Sequence, residues 1–184
     1  MECSFGITGK GYTIIASDSN AARSIVKMKG DEDKMKVLSK HLVMAYNGES
    51  GDTIQFAEYV ERNMKLYGIS RKLDPRNDGR IAAITPSLSV NLLIGGFDVP
   101  SSTPALYWMD YLGTLAEVPF AAHGYGAMFT MGTLDRFHRP DMDLEEGLAL
   151  LRRCIDELKK RFIVDLGTWK VRVIDRQGVK EVTL

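Results

Sequence analysis

The chain has 184 residues, of which 45% are hydrophobic, and 24 basic residues balance 24 acidic ones, so its formal net charge is zero. This length and composition predict a single domain over residues 1–184 with a sizeable core. A neutral balance argues against binding to nucleic acid or to an anionic membrane. Two distant cysteines, Cys3 and Cys154, favour a reducing compartment over a disulfide framework. Signal-peptide and membrane-spanning patterns are absent from the sequence, so we expect a soluble intracellular protein.

The N-terminal part of the chain is typical of β-strands. Residues 4–8 and 12–18 are short β-rich runs on either side of the turn signal at residues 9–11. Residues 41–47 hold a nearly continuous apolar run, which indicates a strand covered on both faces. We therefore predict that the first 47 residues form strands.

The hydrophobic period becomes helical after Gly48. Asp52 is a potential N-cap of this helix, and Gly68 is a stop signal. The apolar positions predicted to face the core are Ile54, Ala57, Val60, Met64 and Tyr67. The following segment, residues 69–89, has no regular period. Its prolines and glycine break any long helix, and its basic residues alternate with aspartates, which predicts a solvated loop rather than a nucleic-acid patch.

Three further strands precede the next helix. Residues 90–97 form another buried-strand run, residues 105–111 are predicted to return as the second strand of a hairpin, and residues 118–123 form a third candidate. A helix is then predicted from Gly124 to about Phe137.

The clearest predicted helix lies near the C-terminus. Asp143 and Glu146 have the spacing of a capping box, and three cations fall in the last turn, where they complement the helix dipole. Its predicted apolar stripe is Leu144, Leu148, Leu151, Ile155, Leu158 and Phe162. Two closing strands, residues 169–174 and 179–184, flank a hairpin turn.

The order of elements is strands, helix, strands, helix pair, strands. Several strands are apolar on both faces, and the amphipathic helices need a sheet to cover. Two sheets packed face to face with helices outside satisfy both requirements. We therefore predict an α+β fold, a four-layer α/β/β/α sandwich.

Searches for common catalytic and ligand-binding motifs give negative results. Residues 124–129 begin like a dinucleotide loop but have Phe129 in place of the third glycine, and residues 48–52 miss the nucleophile-elbow pattern. The three histidines, His41, His123 and His138, are too scattered for a metal cluster and are predicted to be structural. We expect neither a metal nor an organic cofactor.

Several short runs, in order and over nearly the whole chain, resemble those of proteasome beta subunits. They are Ile14 to Ser19, Asp33-Lys34, Ala45 to Thr53, Val90 to Asp98, Leu106 to Gly113, Pro119 to Gly126, Leu134-Asp135 and Arg139 to Met142. Each run is modest by itself, but together they are specific. The runs 51–59 and 120–126 are most similar to a non-catalytic class within that family. The resemblance implies the N-terminal-nucleophile (Ntn) hydrolase fold for the predicted sandwich.

The resemblance also implies roles for named residues. Active members of the family use an N-terminal threonine as nucleophile, exposed by removal of a propeptide and supported by a lysine and an aspartate. By motif, the aspartate falls on Asp18, the lysine on Lys34 and the threonine position on Glu2, which follows directly on Met1. A carboxylate cannot replace that nucleophile. We therefore expect no catalytic residue, and we expect Asp18 and Lys34 to form a structural ion pair.

Other positions depart from the pattern of active members in the same direction. Asp165 and Thr168 keep an Asp-x-x-hydroxyl spacing, but Trp169 and Lys170 replace the paired glycines that usually follow. Tyr125 stands where the resemblance leads us to expect serine. For Tyr125 we prefer a role in packing or at an interface.

Two alternatives stay open at this stage. Cys3 would be a nucleophile if Met1 and Glu2 were removed, which would make the chain an active N-terminal-nucleophile peptidase. Cys3 is one residue out of phase with Asp18 and Lys34, however, and a shift of one residue in a strand turns the side chain to the opposite face. A buried, inert thiol is therefore the preferred interpretation. The other alternative is a homomeric, self-assembling member of the same fold.

The resemblance implies partners and a location. The expected partners are other proteasome beta subunits in the same seven-membered ring and across the equator, together with alpha-ring subunits, in a hetero-oligomer of the cytoplasm and nucleus. Interfaces favour exposed aromatic residues, Met and Arg. One group of candidates lies on a predicted hairpin strand, where core packing explains alternate residues equally well. The candidates are Tyr107, Trp108, Met109 and Tyr111 on one hairpin, and Arg136, Phe137, His138 and Arg139 at one helix end.

Overall fold

The computed structural model describes residues 2–23, 26–70 and 89–184. Residues 71–88, on which most of the predicted solvated loop falls, lie outside the described residues. Within the described part of the chain, no helix is both long and apolar enough to cross a membrane.

Twelve strands and three helices occur in the described ranges. The strands are β1 (Cys3–Gly9), β2 (Tyr12–Asp18), β3 (Ala21–Arg23), β4 (Val26–Lys29), β5 (Met35–Ser39), β6 (Leu42–Gly48), β7 (Val90–Asp98), β8 (Thr103–Met109), β9 (Leu115–Glu117), β10 (Phe120–Gly124), β11 (Trp169–Asp175) and β12 (Gly178–Val182). The helices are α1 (Ser50–Ser70), α2 (Tyr125–Phe137) and α3 (Leu144–Arg161).

The strands form two five-stranded antiparallel sheets and a small hairpin. The first sheet has the order β10-β1-β2-β11-β12, and the second has the order β5-β6-β7-β8-β9. Among the strands of the described residues, β3 and β4 pair only with each other. The sheets therefore join distant parts of the sequence, since β2 pairs with β11 along its whole length, from Tyr12 with Asp175 to Asp18 with Trp169.

Three hydrophobic clusters correspond to the three interfaces between four layers. One joins the first sheet to α2 and α3, and includes Phe5 and Leu151. Another joins the second sheet to α1, and includes Met44 and Val60. The third lies between the two sheets. The predicted α/β/β/α sandwich is confirmed.

Strand β2 shows why this layering follows from sequence. All seven of its residues are buried, because it is a central strand with one face on the helices and the other on the second sheet. Ile14 and Ala16 belong to the helix-side cluster, whereas Ile15 belongs to the cluster between the sheets. Alternation along a strand therefore places successive apolar side chains in different cores.

Several strand boundaries differ from the prediction by two residues. For example, β8 begins at Thr103 rather than at residue 105, and β12 ends at Val182 rather than at residue 184. Strand β8 ends at Met109 rather than at residue 111, because the Asp110 side chain accepts hydrogen bonds from the backbone N–H groups of Leu112 and Thr114 and so forms a turn. Strand β10 begins at Phe120 rather than at residue 118.

Helix α1 differs from its prediction at both ends and at one position on its buried face. Ala57, Val60 and Met64 are buried as predicted, and the side chain of Tyr67 lies outside the described residues. The Glu49 carbonyl already accepts the backbone N–H groups of Asp52 and Thr53, so Asp52 lies in the first turn and is not the N-cap. The helix continues beyond Gly68 to Ser70. Ile54 is exposed, and Phe56 is buried in its place.

Helix α3 agrees with its prediction. The Asp143 carboxylate accepts the Glu146 backbone N–H at 2.9 Å, and the Glu146 carboxylate accepts the Asp143 N–H at 3.0 Å. Both halves of the capping box are therefore present. The inner positions of the predicted stripe are buried, and its two ends, Leu144 and Phe162, are partly buried against the same core.

Candidate functional site

The structure brings the two sequence-predicted site residues together. Asp18 is the last residue of β2, and Lys34 immediately precedes β5 in the other sheet. Lys34 Nζ lies 2.8 Å from Asp18 Oδ2, and the two side chains are 4% and 0% exposed. The same ammonium donates to the Asn20 carbonyl at 2.7 Å. The pair is therefore a buried link between the ends of two strands.

The Asp18 carboxylate is fully supplied with donors. Oδ1 accepts the Cys3 backbone N–H at 2.8 Å, and Oδ2 accepts the Asn20 backbone N–H at 3.2 Å as well as the Lys34 ammonium. A buried charge is tolerated when it is both paired and hydrogen-bonded. Asp18 therefore fixes the start of β1 and the side chain of Lys34 at once.

Glu2 directs its carboxylate into the same place. Its Oε1 lies 3.7 Å from Lys34 Nζ, and its Oε2 accepts the backbone N–H of Gly48 at 2.8 Å. Burial is the largest influence on this carboxyl and raises its pKa, against the opposing effect of Lys34. The position that the resemblance assigns to the nucleophile is thus occupied by a carboxylate bound to the chain's own groups.

Two glycines make room for this arrangement. Gly124 has a φ of 71°, and a Cβ there would lie 2.0 Å from the Glu2 carbonyl oxygen. That carbonyl accepts the backbone N–H of Tyr125 at 3.3 Å. Gly48 has a φ of 148°, and a Cβ there would lie 2.1 Å from the Ser89 carbonyl oxygen. Both backbone approaches require the absence of a side chain.

Cys3 is directed away from the pocket. Its side chain is fully buried in the helix-side core with Phe5 and Cys154. Burial raises the pKa of the Cys3 thiol to about 12. The next residue, Ser4, donates from its hydroxyl to the Asn47 side chain at 2.5 Å. The expectation of a buried thiol is confirmed.

The Thr168 hydroxyl and the Asp165 carboxylate both make hydrogen bonds to nearby groups of the chain. The Thr168 and Ser19 hydroxyls lie 2.5 Å apart, and the Thr168 carbonyl accepts the Ser19 N–H at 3.0 Å. The Asp165 carboxylate accepts the N–H of Gly167 in its own turn. The Asp165 carbonyl accepts from the Asn20 side chain at 2.9 Å. These hydrogen bonds hold the chain beside Asp18.

The residues that depart from the active-member pattern make aromatic or ionic contacts within the chain. Trp169 stacks on Phe5 with ring centroids 5.3 Å apart, and Tyr125 stacks on Phe162 at 5.1 Å. Lys170 lies 3.8 Å from the Asp33 carboxylate. A surface cavity of about 360 Å³ lies at the C-terminal end of α3, where it is lined by Phe162, residues 163–167 and Trp169.

The first group of interface candidates divides by burial. Tyr107 and Met109 are buried within the chain, so they are core residues and not surface contacts. Trp108 is half-buried against His123. Tyr111, outside the strand, is 54% exposed, and its neighbour Leu112 is 70% exposed.

The second group lies largely on the surface. Arg136, Phe137 and Arg139 are exposed, whereas His138 is partly buried and its Nε2 donates to the Thr8 carbonyl at 2.8 Å. The guanidinium of Arg153 lies 4.1 Å from the centre of the Phe137 ring.

Sequence reasoning identified Asp18, Lys34 and Glu2 but missed Gly48 and Asn20 as their binding partners. Both act mainly through backbone atoms, which carry no residue-specific signal. In residues 2–23, 26–70 and 89–184, no group of three or more His, Cys, Asp or Glu side chains is arranged to hold a metal ion.

Comparison with known proteins agrees with the fold. The proteasome subunit family matches residues 2–174. A probable proteasome subunit beta type-4 of Neurospora crassa is 41% identical, over 99% of this chain and 95% of its own length. The beta type-4 subunit of Saccharomyces cerevisiae is 38% identical over 99% of this chain and 97% of its own. The beta type-2-A subunit of Arabidopsis thaliana is 37% identical over 98% and 93%.

The chain therefore belongs to the proteasome subunit family, whose members assemble with other proteasome subunits. The beta-subunit resemblance seen in the sequence is confirmed.

Proposed function

We propose that this chain is a non-catalytic beta-ring subunit of the 20S proteasome core particle, at the position named beta-4 or beta type-2. It builds part of the wall of the degradation chamber and supplies no nucleophile. Full-length similarity to subunits named beta type-4 and beta type-2 supports the position.

The non-catalytic assignment depends on which side chain lies beside Lys34. Of residues 2 and 3, only Glu2 reaches Lys34 with its side chain. Its carboxylate has no hydroxyl or thiol to activate. The nearest thiol, that of Cys3, lies in the opposite core and has a pKa of about 12. A thiolate is the reactive form of cysteine, so this thiol is not activated.

The proposed partners follow from the family. We place the chain in a seven-membered beta ring, in contact with two beta neighbours, with beta subunits across the equator and with an alpha ring. The exposed residues Tyr111, Phe137 and Arg139 support such contacts, because aromatic residues and Arg are enriched at interfaces. We propose the cytoplasm and nucleus as its location.

Native mass spectrometry of the endogenous particle tests the assignment. The particle is treated with an electrophilic probe that reacts with nucleophilic threonine, and its subunits are then released and weighed intact. We expect this chain in a large heteromeric complex, with its Glu2 retained and with no probe attached, while other beta subunits are labelled.

Two results would contradict the proposal. A mature chain that begins at Cys3 and carries the probe would establish the peptidase alternative. A chain that occurs only as a free protein or as a homomeric ring would remove it from the hetero-oligomer.

A further inference from the structure

We infer that the Lys34 ammonium and the Gly48 N–H form a binding site for a small carboxylate, which the chain keeps filled with its own Glu2 side chain. The two donors belong to the second sheet, since Lys34 precedes β5 and Gly48 ends β6. Glu2 precedes β1 of the first sheet and reaches across to them at 3.7 and 2.8 Å. The Glu2 carboxylate is therefore a ligand that the first sheet supplies to two donors of the second sheet.

The donors are held in place by groups other than Glu2. Lys34 Nζ is fixed by the Asp18 carboxylate at 2.8 Å and by the Asn20 carbonyl at 2.7 Å. Gly48 is fixed by its pairing with Val90 and by its close approach to the Ser89 carbonyl. Removal of the Glu2 side chain therefore leaves a preorganised cation and N–H donor around an empty volume.

Charge and size limit the ligand. Lys34 supplies one positive charge, and Asp18 already compensates it at 2.8 Å, so the site disfavours a phosphate dianion and takes at most one negative charge. Burial disfavours an ionised group here, as the raised pKa of Glu2 shows, while Lys34 and the Gly48 N–H favour one. A ligand of three or four heavy atoms is limited to a dissociation constant between about 0.5 and 0.04 mM at best, so we expect about millimolar affinity for a simple carboxylate. Formate and acetate meet these requirements.

The test uses the full chain with Glu2→Ala, labelled with ¹⁵N. Sodium acetate is titrated at pH 7 against sodium chloride of equal ionic strength, and the Gly48 amide resonance and the thermal midpoint are followed. We expect a saturable shift of the Gly48 amide with a midpoint of about millimolar concentration, and a rise in Tm with acetate because the ligand binds only the folded state.

Glu2→Gln is the matched control. Its amide oxygen can accept from Gly48 while the side chain fills the same volume, so neither this variant nor the wild type should respond to acetate. An unsaturable shift, an equal effect of chloride, or an equal response in Glu2→Gln would overturn the inference.

Glu2→Ser is the second variant in case Glu2→Ala is unfolded, because its side chain is too short to reach the Gly48 N–H. If both are unfolded without ligand, recovery of native near-ultraviolet circular dichroism in acetate supports the site, and failure to recover counts against it. These measurements need no other subunit. A negative result would therefore leave the proposed place in the particle unchanged.

Discussion

The imidazole of His123 stacks on the indole of Trp108, with ring centroids 5.2 Å apart and planes inclined by 16°. His123 lies on β10 of the first sheet, and Trp108 lies on β8 of the second. His123 Nε2 also donates to the Leu92 carbonyl of the second sheet at 3.1 Å. The histidine therefore joins the two sheets as a neutral, buried ring, and burial lowers its pKa to about 4.

This histidine makes stability depend on pH. Between the ordinary pKa of 6.5 and the folded-state value of about 4, the unfolded chain binds more protons than the folded one. Its contribution is therefore fully present above pH 6.5 and is lost as the pH falls to 4, by up to about 3 kcal/mol. Urea unfolding of wild type and of His123→Gln, each at pH 7 and at pH 4, measures this contribution. The unfolding free energy of wild type minus that of the variant should be about 3 kcal/mol smaller at pH 4 than at pH 7.

His41→Gln is the control for this prediction. His41 lies near the surface, and its Nε2 contacts the Arg176 carbonyl. Because His123 is retained in this variant, the pH dependence of wild type should persist. If the unfolding free energies of wild type and His123→Gln changed equally with pH, the buried imidazole would not be the source of the pH dependence.

The Asp18–Lys34 pair is expected to be costly to break from one side. Lys34→Met leaves the Asp18 carboxylate buried without its cation, and loss of one partner of a buried pair costs about 3–5 kcal/mol. Replacing both, with Asp18→Asn and Lys34→Met, should cost clearly less than the sum of the single changes. Denaturant unfolding of the four proteins of this double-mutant cycle gives the coupling energy.

A surface pair of similar geometry supplies the comparison. Arg62 and Glu58 lie 3.0 Å apart on α1, with side chains 79% and 46% exposed. Arg62→Met should change the unfolding free energy by less than about 0.5 kcal/mol. If Lys34→Met were as mild as Arg62→Met, the structural role assigned to the buried pair would be wrong.

Much of the fold could be predicted because its strong signals are local. The capping box of Asp143 and Glu146 and the regular stripe that follows define α3 without reference to the rest of the chain. The apolar runs of β6 and β7 likewise indicate buried strands. The short strands β3 and β9 were not predicted individually, because three residues carry too little periodicity to be recognised.

The site was predictable only where side chains carry it. Asp18 and Lys34 were identified by resemblance, and the sheets bring them together. The Gly48 N–H and the Asn20 carbonyl act through the backbone, so no residue type announces them. That the Glu2 carboxylate is bound within the pocket depends on the approach of Gly124, which only the tertiary structure shows.

Both cysteines should be unreactive in the native state. Cys3 and Cys154 are fully buried, and burial raises the pKa of each thiol to about 12. Alkylation by iodoacetamide at pH 8 should therefore proceed only after denaturant is added. Both thiols should then gain a carbamidomethyl group, which intact mass spectrometry detects. Rapid native modification of Cys3 alone would revive the nucleophile alternative.

Gly124 and Gly132 should respond oppositely to alanine. Gly124→Ala places a Cβ against the Glu2 carbonyl at a φ of 71°, and we expect a loss of at least about 2 kcal/mol. Gly132 lies within α2, where an added Cβ would meet no neighbouring side chain within 4 Å, so Gly132→Ala should gain about 0.5–1 kcal/mol through helix propensity. Chemical unfolding of both variants measures the contrast, and a Gly124→Ala protein as stable as wild type would contradict the close approach.

The buried face of α1 can be tested at two neighbouring apolar residues. The helical spacing counted from Ile54 predicted that residue in the core, but the face that meets the second sheet is centred on Phe56, Ala57 and Val60. Phe56 is 7% exposed and Ile54 is 41% exposed. Phe56→Ala should therefore cost about 3–5 kcal/mol, because it removes a ring from the core and leaves a cavity.

Ile54→Ala removes side-chain atoms that are largely in water, and the cost should stay below about 1 kcal/mol. Equilibrium unfolding in urea of the two single variants, with wild type as reference, separates the two faces. The reverse order of costs would mean that the helix is rotated so that Ile54 packs on the second sheet, and it would restore the face that the sequence spacing predicted.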